Sequence, residues 1–104
     1  MKNWKEYSDD NCKIVYEQNS EGIYIQSIKS ETPKSGHGTK LLEIFIKQFE
    51  NVNIYLYPTR ELGTDEKILK KWYKKCGFIE MNLYYFDNCY KATMLHKKKN
   101  PTIK

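Results

Sequence analysis

Two glycines, Gly36 and Gly38, lie in the stretch Pro33-Lys34-Ser35-Gly36-His37-Gly38-Thr39-Lys40-Leu41-Leu42. A strand-like run over residues 23–30 leads into it and an amphipathic helix leaves it. Glycines this close allow a tight turn with no Cβ in the way of a ligand. The first N–H groups of the helix lack intrahelical acceptors, and the helix dipole adds partial positive charge there. Together they make an anion cradle suited to a phosphate or pyrophosphate. Two familiar phosphate loops do not fit. A dinucleotide fingerprint needs a third glycine where Leu41 stands, and a Walker A loop needs Gly-Lys-Ser/Thr where the chain has Gly38-Thr39-Lys40.

A second segment is Leu69-Lys70-Lys71-Trp72-Tyr73-Lys74-Lys75-Cys76-Gly77-Phe78. By pattern alone Tyr73 lies on an apolar helix face and reads as a core residue. Taken together, the two segments resemble the two signatures of GNAT-type N-acetyltransferases. The first is similar to their acyl-CoA loop, Arg/Gln-x-x-Gly-x-Gly/Ala. Gly36 and Gly38 match, Thr39 holds the small hydroxyl position, and Leu41 and Leu42 hold the apolar ones. Pro33 departs from the usual Arg or Gln, and His37 from the usual aliphatic residue. The second is similar to an apolar residue followed by Tyr-x-x-x-Gly-Phe, with Tyr73, Gly77 and Phe78 matching. The resemblance covers roughly residues 11–96 and is nearest to compact, phage-type members that lack the usual N-terminal strand and helices.

The resemblance implies an α+β fold: a GNAT-like mixed, mostly antiparallel sheet with a central parallel βαβ unit and two main helices. It implies an acetyl-CoA-dependent N-acetyltransferase, with acetyl-CoA as acyl donor and an amine acceptor. The backbone of Ile28 and Ser30 would hold the pantetheine arm. Residues Lys34, Ser35, Gly36, His37, Gly38 and Thr39 would hold the pyrophosphate, and Tyr73 would protonate the departing thiolate. A phenol of pKa about 10 can donate to a thiolate as it forms. No general base is readable. Glu21, Glu31, Asp65 and Glu66 are carboxylates near the relevant elements, and water relay to bulk is another route. The absence of N-terminal helices leaves the acceptor side open, which favours a bulky acceptor such as a protein lysine or N-terminus. The alternative is a catalytically inactive GNAT-like module that binds protein or nucleic acid. No nucleic-acid motif is recognisable, so that class ranks lower.

The elements that must position these residues can be read from periodicity. Residues 12–17 are strand-like, 19–22 form a turn, and 23–28 are the partner strand. Its apolar positions are 23, 25 and 28, so the alternation slips by one at Gln26-Ser27, as a β-bulge would require. GNAT proteins carry a bulge in the corresponding strand. A helix over 39–49 presents Leu41, Leu42, Phe45, Ile46 and Phe49 on one face. A strand over 52–57 follows, giving a right-handed βαβ unit with parallel strands. A second helix starts near Thr64 and ends at the Gly77 cap. Residues 78–86 and 89–95 read as a hairpin around Asp87-Asn88.

The chain has 104 residues with 18 Lys plus Arg against 13 acids, a net charge of +5. That length sets one domain, 1–96, with a basic tail over 97–104 that is expected to fray. A basic surface attracts CoA phosphates, acidic proteins or nucleic acid at long range without choosing among them. No apolar run approaches the ~20 residues of a membrane span, and no secretory signal is visible, so a cytoplasmic protein with no membrane partner is expected. Cys12, Cys76 and Cys89 are widely spaced, and with His37 and His96 they complete no zinc pattern, so no metal is expected. Leu83, Tyr84, Tyr85 and Phe86 exceed what one buried sheet face can hide. A second subunit, making a homodimer, or the N-terminal segment with Trp4 would cover the excess.

Overall fold

The first half of the chain forms three antiparallel strands, the second and third of them built on alternating apolar residues. They are β1 (Lys5–Ser8), β2 (Cys12–Asn19) and β3 (Gly22–Ser30). The computed structural model describes residues 4–30, 37–58 and 66–99. Helix α1 (His37–Gln48) follows, then β4 (Ile54–Leu56), α2 (Glu66–Lys75), β5 (Ile79–Phe86) and β6 (Tyr90–His96). The six strands form one mixed sheet in the order β1-β2-β3-β4-β6-β5. β3 and β4 are parallel, and the other neighbouring pairs are antiparallel. The expected α+β architecture with a parallel β3-α1-β4 unit is therefore present.

One face of the sheet carries both helices. Ile14, Tyr16, Ile23, Ile25, Ile54, Leu56 and Met94 pack there against Leu41, Leu42, Phe45 and Tyr73. Phe45 is fully buried and meets the rings of Tyr7, Tyr16 and Phe49 at centroid distances of 5.2, 5.0 and 4.8 Å. All three residues of β4 are buried. Ile54 and Leu56 face the helices, while Tyr55 joins Tyr24, Phe86 and Ala92 in a second cluster behind the sheet. A parallel strand covered on both faces needs this continuous apolar run.

The β5–β6 hairpin extends the sheet beyond β4. Glu80 pairs with Met94 and Tyr84 with Ala92, so β5 holds two more residues than β6 over that interval. Such an irregularity bends the strand and raises its twist. The far half of the hairpin lies against the back of the sheet: Tyr24 stacks on Phe86 and Tyr90, and its hydroxyl donates to the Lys91 carbonyl at 2.9 Å. Asp87 and Asn88 have φ of 55° and 57°. Positive φ at both central residues is what a type I′ turn demands, and Asn and Asp tolerate it well. Glu21 fastens the tip by accepting hydrogen bonds from the Tyr84 hydroxyl and, at 2.7 Å, from the Asp87 N–H. That carboxylate acceptor raises the Tyr84 phenol well above the ordinary tyrosine range.

Trp4 packs on Tyr90 at 5.2 Å, so the N-terminal segment does cover part of this aromatic layer. Ile79, Leu83 and Tyr85 remain exposed on the edge strand. Residues 97–99, the start of the basic tail, lie against the α1–β4 connection. Lys98 N–H donates to Asn53 Oδ1 and Lys99 N–H to the Glu50 carbonyl, both at 2.8 Å. No helix among the described residues is long and apolar enough to cross a membrane.

Gly22 marks a close backbone approach in the βαβ unit. Its φ is +136°, and a Cβ built there would sit 2.3 Å from the Asn53 carbonyl oxygen. That same oxygen accepts the Ile23 N–H at 2.9 Å, which starts the β3–β4 pairing. Backbone cannot retreat as a flexible side chain can. Gly22→Ala is therefore expected to destabilise the fold by about 3 kcal/mol. For a domain of this size that lowers Tm by roughly 10–20 °C, readable by circular dichroism. A Tm within two or three degrees of wild type, on the order of the scatter for a surface change, would refute the close approach.

Candidate active site

The candidate site starts where β3 and β4 separate. Their pairing runs only from Ile23↔Ile54 to Ile25↔Leu56. β4 then ends, with Tyr57 and Pro58 beyond it, while β3 continues to Ser30. The bulge falls at this point. Ile25 pairs with Tyr16 and Ser27 with Val15, leaving Gln26 without a cross-strand partner. The slip at Gln26-Ser27 is therefore real, and it keeps Ile25 and Ile28 on the helix side together. Backbone groups of an antiparallel strand point alternately to its two neighbours. Beyond Ile25, among the described residues, no strand takes up those aimed away from β2. Ile28 and Ser30, two residues apart, aim theirs the same way.

Helix α1 packs on the helix-bearing face of the sheet, against β2 and β3. It begins at His37, two residues before the expected Thr39, so Gly38 lies in its first turn and not in the loop. Lys34, Ser35 and Gly36, together with Pro33, fall outside the described residues, as do Glu31, Thr64 and Asp65. Gly38 is covered by α2: a Cβ there would lie 3.6 and 3.7 Å from the Trp72 ring and 4.0 Å from Cys12 Sγ. Trp72 Nε1 donates to Thr39 Oγ1 at 2.6 Å. Sequence reasoning missed this contact, because nothing local to residue 39 signals a partner thirty-three positions away.

The spacing of the second motif has a direct structural reason. Phe78 N–H bonds the Tyr73 carbonyl and Gly77 N–H bonds the Lys74 carbonyl, both at 3.0 Å. These are the two bonds of a Schellman cap, with Tyr73 at C3, glycine at C′ and Phe78 at C″. Gly77 has φ of +103°, and Phe78 packs on the Tyr73 ring at 5.7 Å. The cap thus fixes the end of α2 and the Tyr73 backbone together. The Tyr73 side chain is buried, and its ring also meets that of Trp72 at 4.9 Å.

The titratable groups narrow the chemistry. Burial pushes the Cys12 and Cys76 thiols up, and nearby Asp9 and Glu43 add to this. Neither is poised as a thiolate nucleophile, which needs a lowered pKa. Of the carboxylates weighed as bases, Glu21 is engaged by Tyr84 and Asp87 at the opposite end of β3 from the opening. Glu66 pairs with Lys70 at 3.6 Å on the exposed start of α2. His96 pairs with Ile54, at the far end of β4, and burial holds its imidazole below the ordinary range. Among the described residues, no cluster of three or more His, Cys, Asp or Glu could hold a metal.

No protein-family model matches the chain, and no curated protein matches it in sequence. Solved structures do match in shape. A putative acetyltransferase from the GNAT family of Bacteroides thetaiotaomicron superposes with a TM-score of 0.63 at 19% identity, over 90% of this chain and 60% of that one. The ribosomal-protein-S18-alanine N-acetyltransferase from Escherichia coli gives 0.62 at 12% identity, over 97% and 74%. The anti-CRISPR protein AcrVA5 gives 0.63 at 14% identity, over 89% and 96%. The fold is thus of the GNAT type, with diverging parallel strands β3 and β4 at its centre.

Proposed function

We propose that this protein is an acetyl-CoA-dependent N-acetyltransferase that passes an acetyl group to an amine by direct attack on the thioester. One observation carries the reading: the bulge at Gln26 coincides with the end of β3–β4 pairing. Strand backbone on the β4 side of β3 is then left to a ligand. Pantetheine, with two amides in an extended chain, can pair with such a strand edge through the Ile28 and Ser30 backbone. The thioester carbonyl would lie by the bulge, whose re-aimed N–H groups stabilise the oxyanion. Lys34, Ser35, Gly36, His37, Gly38 and Thr39 would receive the pyrophosphate at the start of α1. Tyr73 would give the thiolate its proton.

Direct transfer is favoured because the raised thiols of Cys12 and Cys76 make poor acyl carriers. The acceptor is a protein amine, a lysine or an N-terminus. One fold neighbour is named for acetylating the alanine of a ribosomal protein, which is the same class of acceptor.

Thermal unfolding with and without ligand tests the donor. Acetyl-CoA at a hundred times its Kd should stabilise the protein by about 2.7 kcal/mol, a Tm rise on the order of 10 °C. The rise should shrink as salt increases, because the phosphates are the main anchor. An unchanged Tm at millimolar acetyl-CoA would leave a GNAT-type fold without this donor.

A further inference from the structure

We propose that Trp72 is a positioning residue for acetyl-CoA: its indole N–H fixes the Thr39 hydroxyl as a donor to the bound phosphates and ties α2 to the first turn of α1. The inference rests on the acetyl-CoA reading above. An indole nitrogen can donate a hydrogen bond but cannot accept one. At 2.6 Å from Thr39 Oγ1, Trp72 Nε1 therefore occupies an acceptor site of the hydroxyl oxygen. The hydroxyl proton must then point elsewhere. Thr39 is the third residue of α1, inside the turn whose N–H groups lack intrahelical acceptors. An anion received there would take the hydroxyl proton as well as those N–H groups.

Packing supports the same role. The Trp72 ring lies over Gly38, close enough that an added Cβ would just touch it. Its other neighbour is the ring of Tyr73. Trp72 thus joins the two motifs: one side meets Gly38 and Thr39, and the next residue is the candidate acid. The half-buried indole could have packed as well with no polar partner. Its hydrogen bond to a hydroxyl in the first turn of α1 is what distinguishes positioning from simple filling.

The test is a double-mutant cycle read by calorimetric titration with acetyl-CoA. Trp72→Phe keeps an aromatic ring and removes the donor. Thr39→Val keeps the shape and removes the hydroxyl. Each should raise Kd by roughly three- to tenfold, the scale of one hydrogen bond. The double variant should bind no more weakly than Thr39→Val, because Trp72 acts through that hydroxyl. Thr39→Ser should retain wild-type affinity. Wild-type affinity in Trp72→Phe would overturn the inference, and so would a double variant whose loss is the product of the two single losses. If Trp72→Phe fails to fold, the Thr39 pair decides: weakening in Val but not Ser upholds the hydroxyl's role, and unchanged affinity in Val overturns it. Failure of the wild type to bind acetyl-CoA would instead count against the proposed function.

Discussion

Tyr73→Phe is expected to reduce turnover by roughly 10²–10⁴-fold, the range for loss of a general acid. The fold and acetyl-CoA affinity should be nearly untouched. Tyr73 contributes to the structure through two features that phenylalanine retains. Its carbonyl closes the α2 cap by accepting the Phe78 N–H, and its ring packs on those of Trp72 and Phe78. What is lost is the O–H. A lost hydrogen bond of the hydroxyl costs about 1 kcal/mol, a Tm change of a few degrees, roughly 4–8 °C at most. The pattern is a rate defect with binding intact. A panel of lysine peptides and free N-terminal peptides, with CoA release as the readout, would measure it. Full turnover by the Phe variant on an acceptor used by wild type would make Tyr73 a packing residue. Another group or water would then protonate the thiolate.

The sequence expressed most clearly those features whose causes are local. The slip in alternation at Gln26 could be seen because Ile25 and Ile28 both need the helix side, and a strand meets that need only with an extra residue. The end of α2 was readable because a Schellman cap needs glycine at one position and an apolar contact on either side. The βαβ unit followed from the order of periodic segments. Helix α1 starts two residues earlier than its periodicity indicates, because Gly38 looks like loop. In fact it sits in the first turn beside Trp72, where an added Cβ would make van der Waals contact with the indole. β4 is also shorter than the strand expected over 52–57: it begins at Ile54, and pairing on both sides stops at Leu56.

What the sequence concealed depends on contacts between distant segments. Strand β1 is a four-residue edge with three exposed side chains, so it has almost no pattern to read. The bend of the β5–β6 hairpin over the back of the sheet depends on Glu21 meeting Tyr84 and Asp87 more than sixty residues away. The same bend explains why an apolar cluster at residues 83–86 is tolerated. Phe86 is buried against Tyr24 and Tyr55, while Leu83 and Tyr85 stay at the exposed edge. For the candidate site, Gly38, Thr39 and Tyr73 are linked through Trp72, and Ile28 lies on the strand beyond the bulge.

Deleting Gln26 should separate the fold from the chemistry. Tyr16 and Val15 are adjacent on β2, yet they face Ile25 and Ser27, which have Gln26 between them. Removing Gln26 would let the strand continue in regular alternation. Ile25 and Ile28 would still face the helices, opposite Tyr16 and Ile14, and Ser27 would still oppose Val15. No buried side chain would change faces, and Gln26 itself is exposed. The variant should therefore fold, with a Tm equal to or above wild type. Its backbone would differ only at the bulge, whose N–H groups are proposed to face the opening beside β4. If those groups stabilise the thioester oxyanion, turnover should drop by about 10²–10³-fold, the scale of one lost oxyanion donor. Acetyl-CoA affinity should fall much less, because the proposed phosphate contacts at α1 would remain. A deletion variant that folds and turns over as wild type does would show that the bulge serves only the sheet's geometry. One that cannot fold would show instead that the divergence of β3 from β4 requires the extra residue.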